Sequence, residues 1–123
     1  MAAIQRILST YPTMSFVLIG DSTQHDAQIY HKIANLHSER IHAIYIRDVN
    51  TRSSQQVAIH ELASDLAVKH GIPMLLVKNS LQAAEHAAAL NFIPYDAVEA
   101  VRLESKQDDQ PSNTIEYLTD IMQ

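Results

Sequence analysis

The sequence predicts an α/β fold, a three-layer, Rossmann-like arrangement with a parallel sheet of about three strands and helical crossovers between them. Three short apolar segments alternate along the chain with longer segments of helical periodicity, which is the pattern of βαβ units. Each apolar segment ends in a polar cluster, at residues 20–22, 47–48 and 78–80. Because ligands bind at the carboxyl ends of parallel strands, we expect these three clusters to meet at one edge of the sheet.

The expected strands are continuous apolar runs rather than alternating ones, which is typical of strands buried on both faces. They cover residues 15–19, 41–46 and 73–77. We expect them to lie next to one another in this order, with right-handed crossovers. Both crossover helices then lie on one face of the sheet. The helix before the first strand and the helices after Pro94 are therefore expected to cover the other face.

The expected helices are segments whose apolar residues recur at helical spacing. They cover residues 2–10, 25–36, 53–69, 79–91, 95–103 and 114–122. Tyr11-Pro12 ends the first helix. Ser53-Ser54 is expected to cap the third helix, which stops at Gly71.

Length and composition indicate a single domain over residues 1–123. The chain has 123 residues, of which 46% are hydrophobic and 19% charged, as in ordinary globular domains. The polar residues 105–113 are the expected exception and are predicted to form a flexible stretch. A net charge of −5 disfavours nucleic acid as a partner, and the longest apolar run is too short for a transmembrane segment. The absence of cysteine restricts metal ligands to oxygen and imidazole and suits a cytoplasmic location.

The polar cluster after the first strand contains Asp21, and a second carboxylate, Asp26, follows five positions later. One lies at the strand end and the other in the first turn of the next helix, so both can face a hard cation, for which Mg²⁺ is the natural candidate. The same residues also have a purely structural interpretation. Asp21 or Ser22 can cap the helix, and Asp26 can complement its positive N-terminal end. Spacing alone favours the structural interpretation, because Asp and Ser are common at helix starts.

Several short motifs follow one another between residues 4 and 95. They are YP at 11–12, FVLIGDS at 16–22, HD at 25–26, IY at 29–30, AIYIRDV at 43–49, GIPM at 71–74 and AAEHAA at 83–88. Together they resemble the catalytic domain of the actin-patch type phosphatidate phosphatases, a branch of the haloacid dehalogenase superfamily. The resemblance implies a partial haloacid-dehalogenase-like fold. It also implies a magnesium-dependent phosphatase that hydrolyses a phosphomonoester, with phosphatidate as the lipid substrate class.

In this resemblance Asp21 and Asp26 match the acidic motif that holds Mg²⁺, an ion that neutralises charge during phosphoryl transfer. Ser22, Arg47 and Lys78 lie at strand ends and are candidate contacts for the substrate phosphate. Arg47 has an alternative role in a salt bridge to one of the two aspartates. Lys78 has an alternative role as a solvated lysine near a turn.

One part of the family's catalytic set does not occur in this sequence. The superfamily places its nucleophile and its acid/base aspartate in an Asp-x-Asp motif on an earlier strand, and no two aspartates here have that spacing. We therefore expect the C-terminal half of a phosphatase-like catalytic domain, and no residue is assigned as catalytic. Residues 48–51 superficially imitate a nucleophile loop, but the resemblance places them at a later strand, and asparagine cannot act as the general acid. We therefore expect them to form a turn. The alternative function is a non-catalytic Rossmann-like binding or interaction module.

The first strand also leads to a prediction about assembly. Residues 15–19 suit a central strand, and in the family fold this strand lies beside the nucleophile strand. Without that neighbour it becomes an apolar edge for which we expect no charge, proline or bulge between Phe16 and Ile19, and such edges invite pairing. We expect a homodimer through this edge, or coverage of the edge by the N-terminal or C-terminal segment.

Overall fold

The architecture is described by a computed structural model over residues 2–23 and 25–107. The strands are β1 (Phe16–Asp21), β2 (Ile41–Arg47) and β3 (Met74–Val77). The helices are α1 (Ala2–Thr10), α2 (Asp26–Leu36), α3 (Ser53–His70), α4 (Ser80–Ala89) and α5 (Tyr95–Gln107), with a short 3₁₀ helix at Ser38–Arg40. Within these residues, no helix is long and apolar enough to cross a membrane.

The predicted elements are present as far as α5, with ends that differ by a few residues from those expected. The start of the predicted flexible stretch, residues 105–107, is the last turn of α5. The rest of that stretch and the predicted helix at 114–122 lie outside the described residues.

The three strands form one parallel sheet in the order β1-β2-β3, which confirms the predicted order. Asp21 at the end of β1 pairs with Arg47 at the end of β2, and Arg47 pairs with Val77 at the end of β3. The carboxyl ends of the strands are therefore aligned. This alignment brings the three predicted polar clusters to one edge of the sheet.

Helices cover both faces of the sheet and give the predicted three layers. One buried cluster joins the sheet to α1, α2 and α3; it includes Ile4, Leu18, Ile33, Ile44 and Leu66. A second cluster joins the opposite face to α4 and α5; it includes Val17, Tyr45, Ala84, Ala87 and Val98. Burial on both faces explains why the strands are continuously apolar.

The prediction that the N-terminal helix covers the second face is wrong. Ile4 and Leu8 of α1 are buried in the same cluster as α2 and α3. The helix that joins α5 on the second face is α4. Its buried side chains are all small, and they form one stripe that lets the helix approach the sheet closely. The stripe consists of Ala83, Ala84, Ala87 and Ala88.

The prediction that Ser53-Ser54 caps α3 is also wrong, because both serines lie inside the helix. Arg52 occupies the position before the first turn, and its backbone N–H donates to Gln55 Oε1 at 3.0 Å. A glutamine three residues into a helix commonly satisfies this N–H. At the other end, Gly71 adopts a left-handed φ of 67°, as expected for the glycine that ends a helix.

Arg40, in the 3₁₀ helix, attaches α1 to the rest of the fold. Its guanidinium donates to the carbonyl oxygens of Leu8, Tyr11 and Met14, which lie in and just after the last turn of α1. The guanidinium also lies 5.8 Å from the centre of the Phe16 ring. Because the last carbonyls of a helix have no partner within the helix, Arg40 supplies the donors that they need.

Candidate metal and phosphate site

The acidic site lies where β1 ends and α2 begins. Asp21 is the last residue of β1 and Asp26 the first of α2, and they are 1% and 2% exposed. The backbone N–H of Asp21 donates to Asp26 Oδ2 at 2.9 Å, which holds the second carboxylate against the strand end. The structure therefore places the Asp26 carboxylate against the backbone of Asp21, the other predicted metal ligand.

The close contact between the strand and the helix depends on Gly20. A Cβ atom built on Gly20 would lie 2.4 Å from Asp26 Oδ2 and 2.7 Å from Asp26 Cβ. Real Cβ atoms essentially never approach another heavy atom that closely. A side chain at this position would therefore push Asp26 away, which explains why a glycine precedes Asp21.

Asp21 also has a local structural role. Its Oδ1 accepts hydrogen bonds from the backbone N–H of Thr23 at 3.1 Å and from the Thr23 hydroxyl at 2.6 Å. The residue before α2 is His25, whose side chain makes no capping hydrogen bond. Asp21 thus stabilises the turn between β1 and α2 and does not cap the helix, whereas Asp26 lies in the first turn as the structural interpretation expects.

Arg47 lies beside the acidic pair at the end of β2. Its Nη2 is 3.4 Å from Asp21 Oδ2, and its side chain is 18% exposed. This contact is the salt bridge that the sequence offered as the alternative to a phosphate contact. At this length it is an ion pair rather than a strong hydrogen bond. Arg47 therefore compensates part of the negative charge of the buried carboxylates.

Ser22 connects the loop after β1 to the loop after β2. Its hydroxyl donates to the Val49 carbonyl at 3.3 Å and accepts from the Val49 N–H at 2.8 Å and the Thr51 hydroxyl at 2.7 Å. A serine hydroxyl has one donor and two acceptor positions, so all three are used. Ser22 therefore positions the two loops, and the predicted contact with a substrate phosphate would require one of these bonds to break.

Lys78 follows β3 at the same edge of the sheet, on the far side of β2 from Asp21. Neighbouring strands lie about 4.8 Å apart, so roughly two strand spacings separate the backbones of the two residues. The Lys78 side chain is exposed, and its backbone N–H donates to Gln82 Oε1 at 2.7 Å. Among the predicted phosphate contacts, Arg47 lies at the acidic pair and Lys78 lies at the periphery.

Residues 48–51 form a turn, as predicted. Asp48 Oδ1 accepts a hydrogen bond from the Thr51 N–H at 3.1 Å, and Asn50 has a left-handed φ of 52°. Hydrogen bonding to Thr51 lowers the pKa of the exposed Asp48 carboxyl. Its carboxylate therefore acts as a turn acceptor.

A cavity of about 250 Å³ lies beside the turn that joins β1 to α2, between the N-terminal parts of α2 and α3. Thr23 and His25 line it on the side of the turn, and Gln55 and Ile59 line it on the side of α3. The sequence did not predict this cavity, because the position of α3 opposite α2 follows from tertiary packing. The only signal is the uncharged polar start of α3.

The two carboxylates fit a hard cation such as Mg²⁺, which prefers oxygen ligands and keeps several waters. Within the part of the chain that the structure describes, no group of three or more His, Cys, Asp or Glu side chains is placed to hold a metal ion. A cation at this site would therefore be bound by Asp21 and Asp26, with water and phosphate oxygens as its other ligands.

The fold and the site define a parallel α/β domain with a buried acidic pair at the carboxyl end of its first strand. A family model described as phosphatidate phosphatase APP1, catalytic domain, matches residues 1–48. That segment contains Asp21, Asp26 and Arg47 and supports the resemblance given by the first motifs. The match ends before the later motifs at 71–88, so it supports the resemblance only over the first part of the chain. No curated protein and no solved structure matches the chain.

Proposed function

We propose that this chain is the magnesium-binding part of a phosphatase-like domain whose complete form hydrolyses a phosphomonoester. The observation that carries the proposal is the pair Asp21 and Asp26, buried at the end of β1 inside the segment that matches the phosphatidate phosphatase family. Carboxylate oxygens are the ligands that a hard divalent cation such as Mg²⁺ prefers.

The residues have distinct roles in this proposal. Asp21 and Asp26 hold the ion, and Gly20 lets the Asp26 carboxylate lie against the end of β1. When bound, Mg²⁺ neutralises charge on the phosphate oxygens. Arg47 binds the phosphate from the β2 side, since its guanidinium is partly exposed and lies beside Asp21. Ser22 fixes the two loops that surround the site. Phosphatidate is the proposed lipid substrate class, on the strength of the family match.

Titration of the purified chain with Mg²⁺, followed by NMR, tests the metal assignment. We expect weak binding, because two carboxylates leave most of the ion's coordination shell to water. Asp21→Asn and Asp26→Asn should each weaken it by about tenfold or more, since each removes one charge next to the ion. Asp96→Asn, which changes an exposed aspartate on α5, is the matched control and should bind like the parent. Equal binding by all four proteins would leave the two aspartates a structural role only.

The same preparation should release no phosphate from a generic phosphomonoester in the presence of Mg²⁺. Covalent catalysis requires a positioned nucleophile, and the sequence contains no Asp-x-Asp pair to supply it. Phosphate release that persists through purification and disappears in Asp48→Asn would contradict this expectation and identify Asp48 as the nucleophile.

A non-catalytic binding module is the second candidate function, and the lack of an Asp-x-Asp pair favours it. The two candidates differ in the dependence of phosphate binding on the metal. A phosphatase-like site should bind inorganic phosphate tightly only with Mg²⁺, whereas a simple anion-binding module should bind it equally well without Mg²⁺.

A further inference from the structure

The cavity between α2 and α3 begins at the acidic site. The Thr23 hydroxyl donates to Asp21 Oδ1 at 2.6 Å, and Thr23 also lines the cavity. Ser22, which connects the two loops at the site, lines it as well. A phosphomonoester whose phosphate is held at Asp21 therefore has this cavity within reach of its organic group.

The lining of the cavity is polar, and His25 is the ionisable side chain in it. Its hydroxyl and amide groups include those of Thr23, Gln28 and Ser54. Its apolar wall consists of Ala27, Ala58 and Ile59. Among residues 2–23 and 25–107, no Asp, Glu, Lys or Arg side chain lines the cavity. Such a surface suits a short carbon backbone that bears hydroxyl groups, because the wall accepts the carbons while the rim hydrogen-bonds the hydroxyls.

We propose that this cavity binds the neutral polyol part of the phosphomonoester, a group of about the size of glycerol. The proposal rests on the proposed function for the anchoring of the phosphate. The volume of about 250 Å³ lies below the roughly 300–1,000 Å³ of pockets that enclose drug-sized ligands, so long acyl chains do not fit inside. In a lipid substrate those chains would lie outside the cavity. A carboxylate in place of a hydroxyl would lose water without gaining a Lys or Arg partner among the described lining residues.

Three ligands test this proposal when their binding to the full chain is measured with Mg²⁺ present. Glycerol 3-phosphate should bind about tenfold more tightly than inorganic phosphate, because the cavity adds hydrogen bonds to the polyol. The charged analogue 3-phosphoglycerate should lose this gain. Equal binding of glycerol 3-phosphate and inorganic phosphate by the parent chain would overturn the proposal.

Two substitutions on α3 form a matched pair for the same measurement. Ala58→Phe fills the cavity and should abolish the preference for glycerol 3-phosphate while leaving inorganic phosphate binding unchanged. Val57→Phe adds the same ring at a neighbouring position that is 58% exposed and outside the lining, so the preference should persist. A preference that survives Ala58→Phe would also overturn the proposal. If Ala58→Phe does not fold, Gln28→Ala at an exposed position of α2 should reduce the preference instead.

Glycerol alone distinguishes failure of the cavity from failure of the metal site. It should shift the methyl resonances of Ala27, Ala58 and Ile59 in the parent chain, and the shifts of Ala27 and Ile59 should be absent in Ala58→Phe. These shifts without any binding of Mg²⁺ or phosphate would support the cavity and contradict only the proposed function. Their absence would overturn the polyol site even if Mg²⁺ binding still depends on Asp21.

Discussion

Gly20 determines how closely the Asp26 side chain can approach the end of β1. Because a Cβ atom here would lie 2.4 Å from Asp26 Oδ2, Gly20→Ala must displace the start of α2. We expect a loss of about 1–3 kcal/mol in the free energy of unfolding, as for other overpacked buried positions. We also expect weaker Mg²⁺ binding, since the two ligands separate. Urea unfolding and Mg²⁺ titration of the same variant measure both effects.

The other glycine of the chain provides the control for this substitution. Gly71 has a φ of 67°, and a Cβ atom there would meet nothing within 4 Å. Gly71→Ala therefore strains only the backbone, at a cost of about 1–2 kcal/mol. It should lower stability without changing Mg²⁺ affinity. If Gly20→Ala binds Mg²⁺ as well as Gly71→Ala does, close approach of the two carboxylates is not needed for the metal.

At the scale of single residues, the sequence predicted where the site residues lie better than it predicted what each of them does. Asp21 and Asp26 were recognisable because one ends an apolar strand and the other begins a helix. The role of Ser22 was not recognisable, because its partners Val49 and Thr51 lie 27 and 29 residues further along the chain. Only the pairing of β1 with β2 brings these loops together.

At the scale of elements, a polar contact joins α2 to α3 on the surface of the fold. The Nε2–H of His31 donates to Asp65 Oδ2 at 2.7 Å, and Lys69 Nζ lies 3.0 Å from Asp65 Oδ1. Two hydrogen bonds lower the pKa of the Asp65 carboxyl below its ordinary value of 3.8. The bond from His31 has the larger effect, and the bond from Lys69 has the next largest. The charged form of Asp65 is therefore the one that the folded state favours.

This contact predicts how stability depends on pH. Since the pKa of Asp65 is lower in the folded state, its contribution to stability is present above pH 3.8 and is lost as the pH falls through the lowered pKa. Asp65→Asn should be less stable than the parent at neutral pH, and the difference should shrink below pH 3.8. Urea unfolding of both proteins at neutral pH and below pH 3.8 tests this prediction. Glu61→Gln, at an exposed position of the same helix, is the control. A difference that is independent of pH would mean that the charge of Asp65 does not matter.

The elements themselves were predictable to different degrees. The strands were clear because burial on both faces leaves no polar alternation, and their order followed from the crossover rule. The face that each helix covers was not predictable for α1 and α4. Helical periodicity identifies an apolar stripe but not the sheet face against which the stripe packs. The alanine stripe of α4 became informative only once its contact with the sheet was known.

At the scale of the whole molecule, β1 is an outer strand of the sheet formed by residues 2–23 and 25–107, so its outer edge decides whether the chain pairs with another copy. Successive backbone groups of a strand point to opposite sides. The Ser22 N–H bonds to the carbonyl of Arg47 in β2, whereas the Ile19 carbonyl accepts from the Tyr30 hydroxyl at 3.2 Å and the Asp21 N–H reaches Asp26. The backbone groups of residues 17, 19 and 21 therefore face the edge. Side chains of α2 therefore hydrogen-bond the edge-facing backbone groups in the carboxyl-terminal part of β1.

The amino-terminal part of this edge leads to the prediction of a homodimer. Val17 has its N–H and carbonyl on the edge side, and β1 carries no charge or proline from Phe16 to Ile19 that would oppose pairing. The expectation of no bulge is wrong, because the register of β1 against β2 shifts between Phe16 and Val17. Two copies can pair there about a two-fold axis. Light scattering at micromolar concentration should give the mass of a dimer, and the Val17 amide should exchange slowly with solvent. Val17→Pro removes the edge donor without removing a bond to β2, so it should give a folded monomer. A monomeric parent whose Val17 amide exchanges rapidly would contradict both the dimer and the expected coverage of this edge by another segment of the chain.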